Sequence, residues 1–146
     1  MNELQIASLF SQCEAYHEVF RSCNAGSKTD SWCGKCPKCL FTWIILSPFL
    51  PRKRLAEIFG KDLLTDPDLK PIFEELNGTS AVKPFECVGT VEEVRACVDF
   101  MKDCQGTIVE NSPQAEATVE AILKRFNEEN YLPSQFVTIL KSRLHV

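Results

Sequence analysis

Four cysteines constrain this chain more than any other feature of it. Cys23, Cys33, Cys36 and Cys39 stand in the spacing C-x9-C-x2-C-x2-C. Structural zinc takes four tetrahedral nitrogen or sulfur ligands, and four thiolates supply that set completely. A C-x2-C step lets two sulfurs converge on one ion through a tight turn, and Gly34 tolerates the positive φ that such a turn needs. Cys36 and Cys39 are three apart, so the first turn of a helix opened by Pro37 places both on one side. Free N–H groups and the dipole at that helix start favour negative sulfur. Arg21, Lys28, Lys35 and Lys38 lie near in sequence to offset the charge. An iron–sulfur cluster is the alternative, because C-x2-C-x2-C also occurs there. The bacterial ferredoxin run continues with a cysteine three residues later, and position 43 is Trp43. Zinc is therefore favoured. A catalytic zinc keeps an open position and usually takes histidine or carboxylate ligands. His17 and His145 are the two histidines and neither falls in the cluster, so the site reads as closed and structural.

The chain holds eight cysteines in 146 residues, with no export signal in Met1 to Phe10. A cytoplasmic, reducing location follows, where cysteines bind metal more often than they pair. Cys13, Cys97 and Cys104 sit in helical patterns and read as core thiols, which pack as small hydrophobes. The net charge of -4 makes the chain a poor partner for nucleic acid. The longest apolar run, Leu40 to Leu50, is too short to span a membrane and reads as a buried core helix.

The remaining punctuation predicts a mostly α chain, a small helical domain with a four-cysteine zinc site. Apolar residues from Leu4 to Tyr16 approximate one helical face. Cys23 to Trp32 is a polar loop, followed by a short helix from Pro37 to Leu46. Arg52 to Phe59 is a basic amphipathic turn closed by Gly60. Asp66-Pro67 opens a helix running through Leu76, ended near Asn77-Gly78. Thr90 and Glu93 form a capping-box pattern. Ser112-Pro113 opens a helix to Glu129, and Pro133 opens the last. Short strands at 18–21 or 82–88 are possible. A boundary in 106–112 divides a zinc-binding domain, 1–105, from a helical hairpin extension, 106–146.

Two other segments stand out. Lys83-Pro84-Phe85-Glu86-Cys87-Val88-Gly89 packs a base, an acid and a thiol between Pro and Gly. A connecting strand or turn is the plainer reading, and no base partner for Cys87 is evident. Arg52, Lys53 and Arg54 read as a solvated helix start, with a phosphate contact as the alternative. No G-x-x-x-x-G-K-S/T, G-x-G-x-x-G or Ser-Gly-Gly phosphate loop is present, so the chain carries no recognisable nucleotide site.

Taken in order, Phe20-Arg21-Ser22-Cys23-Asn24, Trp32-Cys33-Gly34-Lys35-Cys36-Pro37-Lys38-Cys39, Ser47-Pro48-Phe49 and Lys83 to Gly89 resemble the C-terminal part of UDP-N-acetylmuramoyl-L-alanyl-L-glutamate epimerase. The likeness covers roughly Leu4 to Val98. The cysteine arrangement is also similar to that of PP-loop ATP pyrophosphatases such as 7-cyano-7-deazaguanine synthase. The resemblance implies the C-terminal portion of a larger α/β, PP-loop-like enzyme of peptidoglycan precursor synthesis. That enzyme activates the terminal L-Glu carboxylate of UDP-MurNAc-L-Ala-L-Glu with ATP and Mg2+. Activation acidifies the Cα proton, so deprotonation and reprotonation from the other face give D-Glu. The resemblance also implies Cys23, Cys33, Cys36 and Cys39 as metal ligands, with Lys83 and Glu86 as candidate catalytic positions.

Two readings follow. In the first, the chain is the zinc-bearing C-terminal region of this epimerase, inactive alone. It then awaits an N-terminal PP-loop-like domain or subunit, docked on an exposed apolar face at Leu40 to Phe49 or on the first helix. In the second, it is a stand-alone structural zinc module that mediates protein–protein interaction.

Overall fold

A computed structural model describes residues 1–82, 88–105 and 113–145, with backbone alone for 102–105 and 113–117. The regular elements among the described residues are all helical. The α-helices are α1 (Glu3–Ser11), α2 (Pro37–Leu46), α3 (Arg52–Phe59), α4 (Lys70–Leu76), α5 (Val91–Gln105), α6 (Pro113–Leu123) and α7 (Ser134–Leu144). No strand occurs among them, so 18–21 is not a strand, and most of 82–88 lies outside the described residues.

Helix α2 is the axis of the fold. Seven of its ten residues are buried, including Leu40, Trp43 and Ile44, and α1, α3, α4 and α5 pack around it. A helix apolar on almost every side is stable only when surrounded. Each large side chain so buried contributes about 1.5–3 kcal/mol. Leu40 to Leu46 is accordingly core within this chain, with Thr42 alone half-buried, as expected of a buried core helix. The helix stops where Ser47 turns its N–H and hydroxyl back to the Ile44 carbonyl, ahead of Pro48.

Most expected boundaries hold. Gly60 closes α3 in the left-handed conformation at φ 79, and Gly78 follows α4 at φ 69. Helix α1 is shorter than its apolar pattern, ending at Ser11, with a separate 3-10 turn over Glu14–Tyr16. Asp66 caps a 3-10 turn, Pro67–Leu69, rather than α4 itself. Helix α6 ends at Leu123 rather than Glu129.

The capping box at Thr90 does more than its sequence pattern implies. Thr90 donates through its N–H and its hydroxyl to Glu93 Oε2, both at 2.8 Å. The other oxygen, Oε1, accepts from the N–H groups of Glu3 at 2.8 Å and Leu4 at 3.3 Å. One buried carboxylate thus holds the N-termini of both α5 and α1, where two helix dipoles favour an anion. The start of α1 also clamps the end of α6. Asn2 Nδ2 donates to the Ile122 carbonyl at 2.9 Å and Gln5 Nε2 to that of Leu123 at 2.7 Å. Val119 and Ile122 of α6 are part of the same core as α1, α2 and α5.

Candidate metal centre

The four sulfurs converge from three pieces of chain. Cys23 follows a stretch without regular structure and is buried. Cys33 lies beyond an irregular polar loop. Cys36 is the extended N-cap residue of α2, and Cys39 sits in that helix's first turn. Gly34 makes the intervening turn at φ 63, as expected of the first C-x2-C step. Cys36 Sγ lies 3.5 Å from Cys39 Sγ and 3.7 Å from Cys23 Sγ, and Cys33 Sγ lies 3.7 Å from Cys39 Sγ. All four ligand atoms fall within 4.8 Å of one another.

Those distances can be tested against chemistry. A disulfide requires about 2.05 Å between sulfurs, and these cysteines are free thiols. Four sulfurs placed tetrahedrally about 2.3 Å from one ion are about 3.8 Å apart. The three short separations approach that edge length. In a cubane iron–sulfur cluster each iron takes its own cysteine, so the sulfurs are spread around a larger body. The arrangement can hold a single metal ion.

Ionisation points the same way. Burial raises the Cys23 thiol, but backbone N–H groups of Cys33 and Gly26 donate to its sulfur and bring it down to about 6. Burial pushes Cys36 up to about 11, against a backbone hydrogen bond from Cys39. Burial likewise lifts Cys39 above the ordinary thiol range against the Gly34 N–H, and the facing sulfur of Cys36 adds to the rise. Sulfurs this close cannot all be anions unless a cation lies among them.

Sequence reasoning missed Gly26. Its N–H donates to Cys23 Sγ at 3.3 Å, and a Cβ there would lie 1.7 Å from the Ser31 carbonyl oxygen. Any side chain would push the Cys23 loop off its ligand geometry. A lone Gly in a polar loop gives no sign of such an approach. Of the nearby cations, Lys38 reaches Asn24 Oδ1 at 3.3 Å.

The other candidates separate clearly. Cys97 is a buried core thiol, raised in pKa by burial and then by Glu93. Cys13 is exposed, its S–H directed at the Leu9 carbonyl, because α1 ends before it; this corrects its reading as a core thiol. Arg52 pairs with Asp62, and Arg54 with Glu18 and Glu57, as in a solvated helix start. Lys83, Glu86 and Cys87 lie outside the described residues, as does the side chain of Cys104. No helix among the described residues is long and apolar enough to cross a membrane.

A small, all-helical domain wrapped around four convergent thiols is thus the class that fold and site define. The sequence model of the MurL C-terminal domain matches residues 19–131, and the chain belongs to that family. It is 40% identical over 126 residues to a UDP-N-acetyl-alpha-D-muramoyl-L-alanyl-L-glutamate epimerase of Salinispora tropica, covering 84% of this chain and 27% of that protein. A Micromonospora protein of the same name is also 40% identical over 126 residues, covering 84% of this chain and 28% of the relative. One from Xanthomonas oryzae pv. oryzae is 34% identical over 132 residues, covering 86% and 27%. The chain therefore spans little more than a quarter of the length of these relatives. No solved structure matches it.

Proposed function

We propose that this chain is the C-terminal, zinc-bearing region of an ATP-dependent epimerase that converts the terminal L-Glu of UDP-MurNAc-L-Ala-L-Glu to D-Glu in cell-wall precursor synthesis. The observation that carries this reading is the family match across most of the chain, joined by relatives that share one epimerase name. ATP and Mg2+ belong to the complete enzyme, whose nucleotide-binding part is an N-terminal PP-loop-like region. Residues 1–105 form the metal-bearing unit in this reading, and 106–146 a helical extension of it.

Cys23, Cys33, Cys36 and Cys39 hold the metal as thiolates. A bound zinc ion supplies four strong bonds and, with four protein ligands, no open position for chemistry. What the cysteines do is structural. They fasten the Cys23 and Cys33 segments to the N-terminus of α2, so that metal-binding energy becomes folding energy. Glu86 is assigned to substrate contact or to proton transfer at Cα, with Lys83 beside it as a second candidate.

The test is a reconstitution. The chain is assayed alone and joined to the remaining three-quarters of the epimerase, with ATP, Mg2+ and the UDP-muramoyl dipeptide, and glutamate chirality is read after hydrolysis. D-Glu is expected from the complete enzyme only, with at least a hundredfold loss in Glu86→Gln. D-Glu formed by the chain alone sinks the proposal that it is one part of the machinery. Full activity of a complete enzyme lacking this region makes it a separate zinc module.

A further inference from the structure

We propose that the cleft between α1, the segment at Phe20 to Ser22, and α2 is the seat of the part of the epimerase that this chain does not cover. The proposal rests on the preceding reading only for the identity of the occupant. The cleft has a volume of about 230 Å³. Phe41 and Ile45 of the central helix form its floor, and Ile6 and Phe20 its walls. Ile6 is 46% exposed and Phe20 39% exposed. Elsewhere α2 is covered by α3, α4 and α5, whereas here Phe41 and Ile45, themselves buried, lie at the bottom of an open cleft. Apolar surface of this kind, rimmed by the charged Glu3 and Lys38, is what a protein interface needs.

Three observations favour the rest of the epimerase over another occupant. The relatives are nearly four times as long as the matched region, so a large body accompanies a domain of this family. In those relatives the rest of the chain precedes a C-terminal domain, and Glu3, at the start of α1, stands on the rim of the cleft. The metal centre also shapes this face. Ser22 and Lys38 of the cleft wall adjoin Cys23 and Cys39 in sequence, so fastening those two cysteines fixes the wall. A rival apolar face, Phe136 and Ile139 of α7, is exposed and lies wholly beyond the family-matched residues 19–131, which include Phe20, Lys38 and Phe41 of the cleft though not Ile6 of α1. A fitting occupant presents apolar side chains flanked by an acid for Lys38 and a base for Glu3.

The complete epimerase is prepared with p-benzoyl-phenylalanine in place of Ile6, of Phe20 or, as a control, of Ile139. After irradiation, cross-linked peptides are mapped by mass spectrometry, and bound zinc per chain reports that each variant is folded. Cross-links from positions 6 and 20 to the N-terminal region are expected, at a yield at least tenfold above position 139. Cross-links that join two copies of this domain overturn the proposal in favour of a homodimer face. Yields at 6 and 20 equal to the control, with zinc retained, overturn it outright. Mapping needs no turnover, so it can fail while the epimerase assay succeeds, or the reverse.

Discussion

The cysteine segment at 23–39 and the last helix at 134–144 reverse the usual association between regular structure and stability. Between Cys23 and Cys36 the chain forms one 3-10 turn, Ser27–Thr29, and little else that repeats. Yet Cys23, Trp32 and Cys39 are part of the buried core. Helix α7 is regular for 11 residues and buries none of them. In its last turn, Lys141 forms an ion pair with Glu128 at 2.5 Å and stacks its ammonium over Phe126 at 5.1 Å. Backbone hydrogen bonds alone hold a short helix only marginally in water. Irregular chain drawn into the core and fastened by a bound metal is therefore expected to outlast regular chain that packs only at its surface.

Removing the metal is the most severe way to break that comparison. Structural zinc contributes about 10–16 kcal/mol of binding energy at neutral pH, all of it conditional on folding. Chelation, or Cys36→Ser, is expected to abolish stoichiometric zinc and to melt the Cys23–Cys36 segment. Hydrogen exchange reads this directly, because the Gly26 amide should lose its protection while amides of α7 stay unchanged. A metal-free chain with the Gly26 amide still protected would reduce the four thiols to ordinary core packing.

Acidification sharpens the same point. Cys36, pushed up to about 11, and Cys39, held above the usual thiol range, carry protons at pH 7 in the metal-free chain. Both must lose them to ligate, so protons compete with the metal and affinity falls as pH falls. These two released protons alone give at least about a hundredfold loss per pH unit. Cys23, already brought to about 6, adds to the slope only below that pH. Zinc titrations against a chromophoric chelator between pH 6 and 8 should show the steep dependence; a flat profile contradicts coordination by these thiols.

A smaller loss is expected at the other end of the core. Glu93→Ala strips acceptors from the Thr90 hydroxyl and the N–H groups of Thr90, Glu3 and Leu4. Leaving buried donors unsatisfied costs about 1–3 kcal/mol each at the extreme, and relaxation and water make about 3 kcal/mol in total the reasonable expectation. Urea unfolding of the zinc-loaded chain should show it, with zinc stoichiometry intact. Glu93→Gln keeps one oxygen and should lose less.

Glu93 also shows what a sequence reveals. Its link to Thr90 is legible because capping is local, three residues apart. Its link to Glu3 spans 90 residues and has no pattern. The convergence of the four cysteines was legible because C-x2-C encodes geometry in spacing, and Pro37 and Gly34 punctuate that geometry visibly. Gly26 was not, because its constraint is the approach of the Ser31 carbonyl from across the loop. The apolar run at Leu40 to Leu46 announced a buried helix but not which sides its neighbours would cover. Whether α1 would continue through Cys13 depended on its packing, which apolar periodicity alone does not report.

The gentlest perturbation tests the weak partner in the comparison. Lys141→Ala removes the pair with Glu128 and the stacking on Phe126 together. An exposed ion pair contributes about 0–1 kcal/mol, and a surface cation–π contact about 0.5–1 kcal/mol. Global stability should therefore fall by no more than about 2 kcal/mol, and by less if the helix opens on its own, since α7 adds no buried residue to the core. Amide exchange across 134–144 should nonetheless accelerate, because that helix opens without disturbing the rest. If the variant instead unfolds as a whole at lower urea, α7 is coupled to the core through α1, and regular structure at the edge counts for more than its burial indicates.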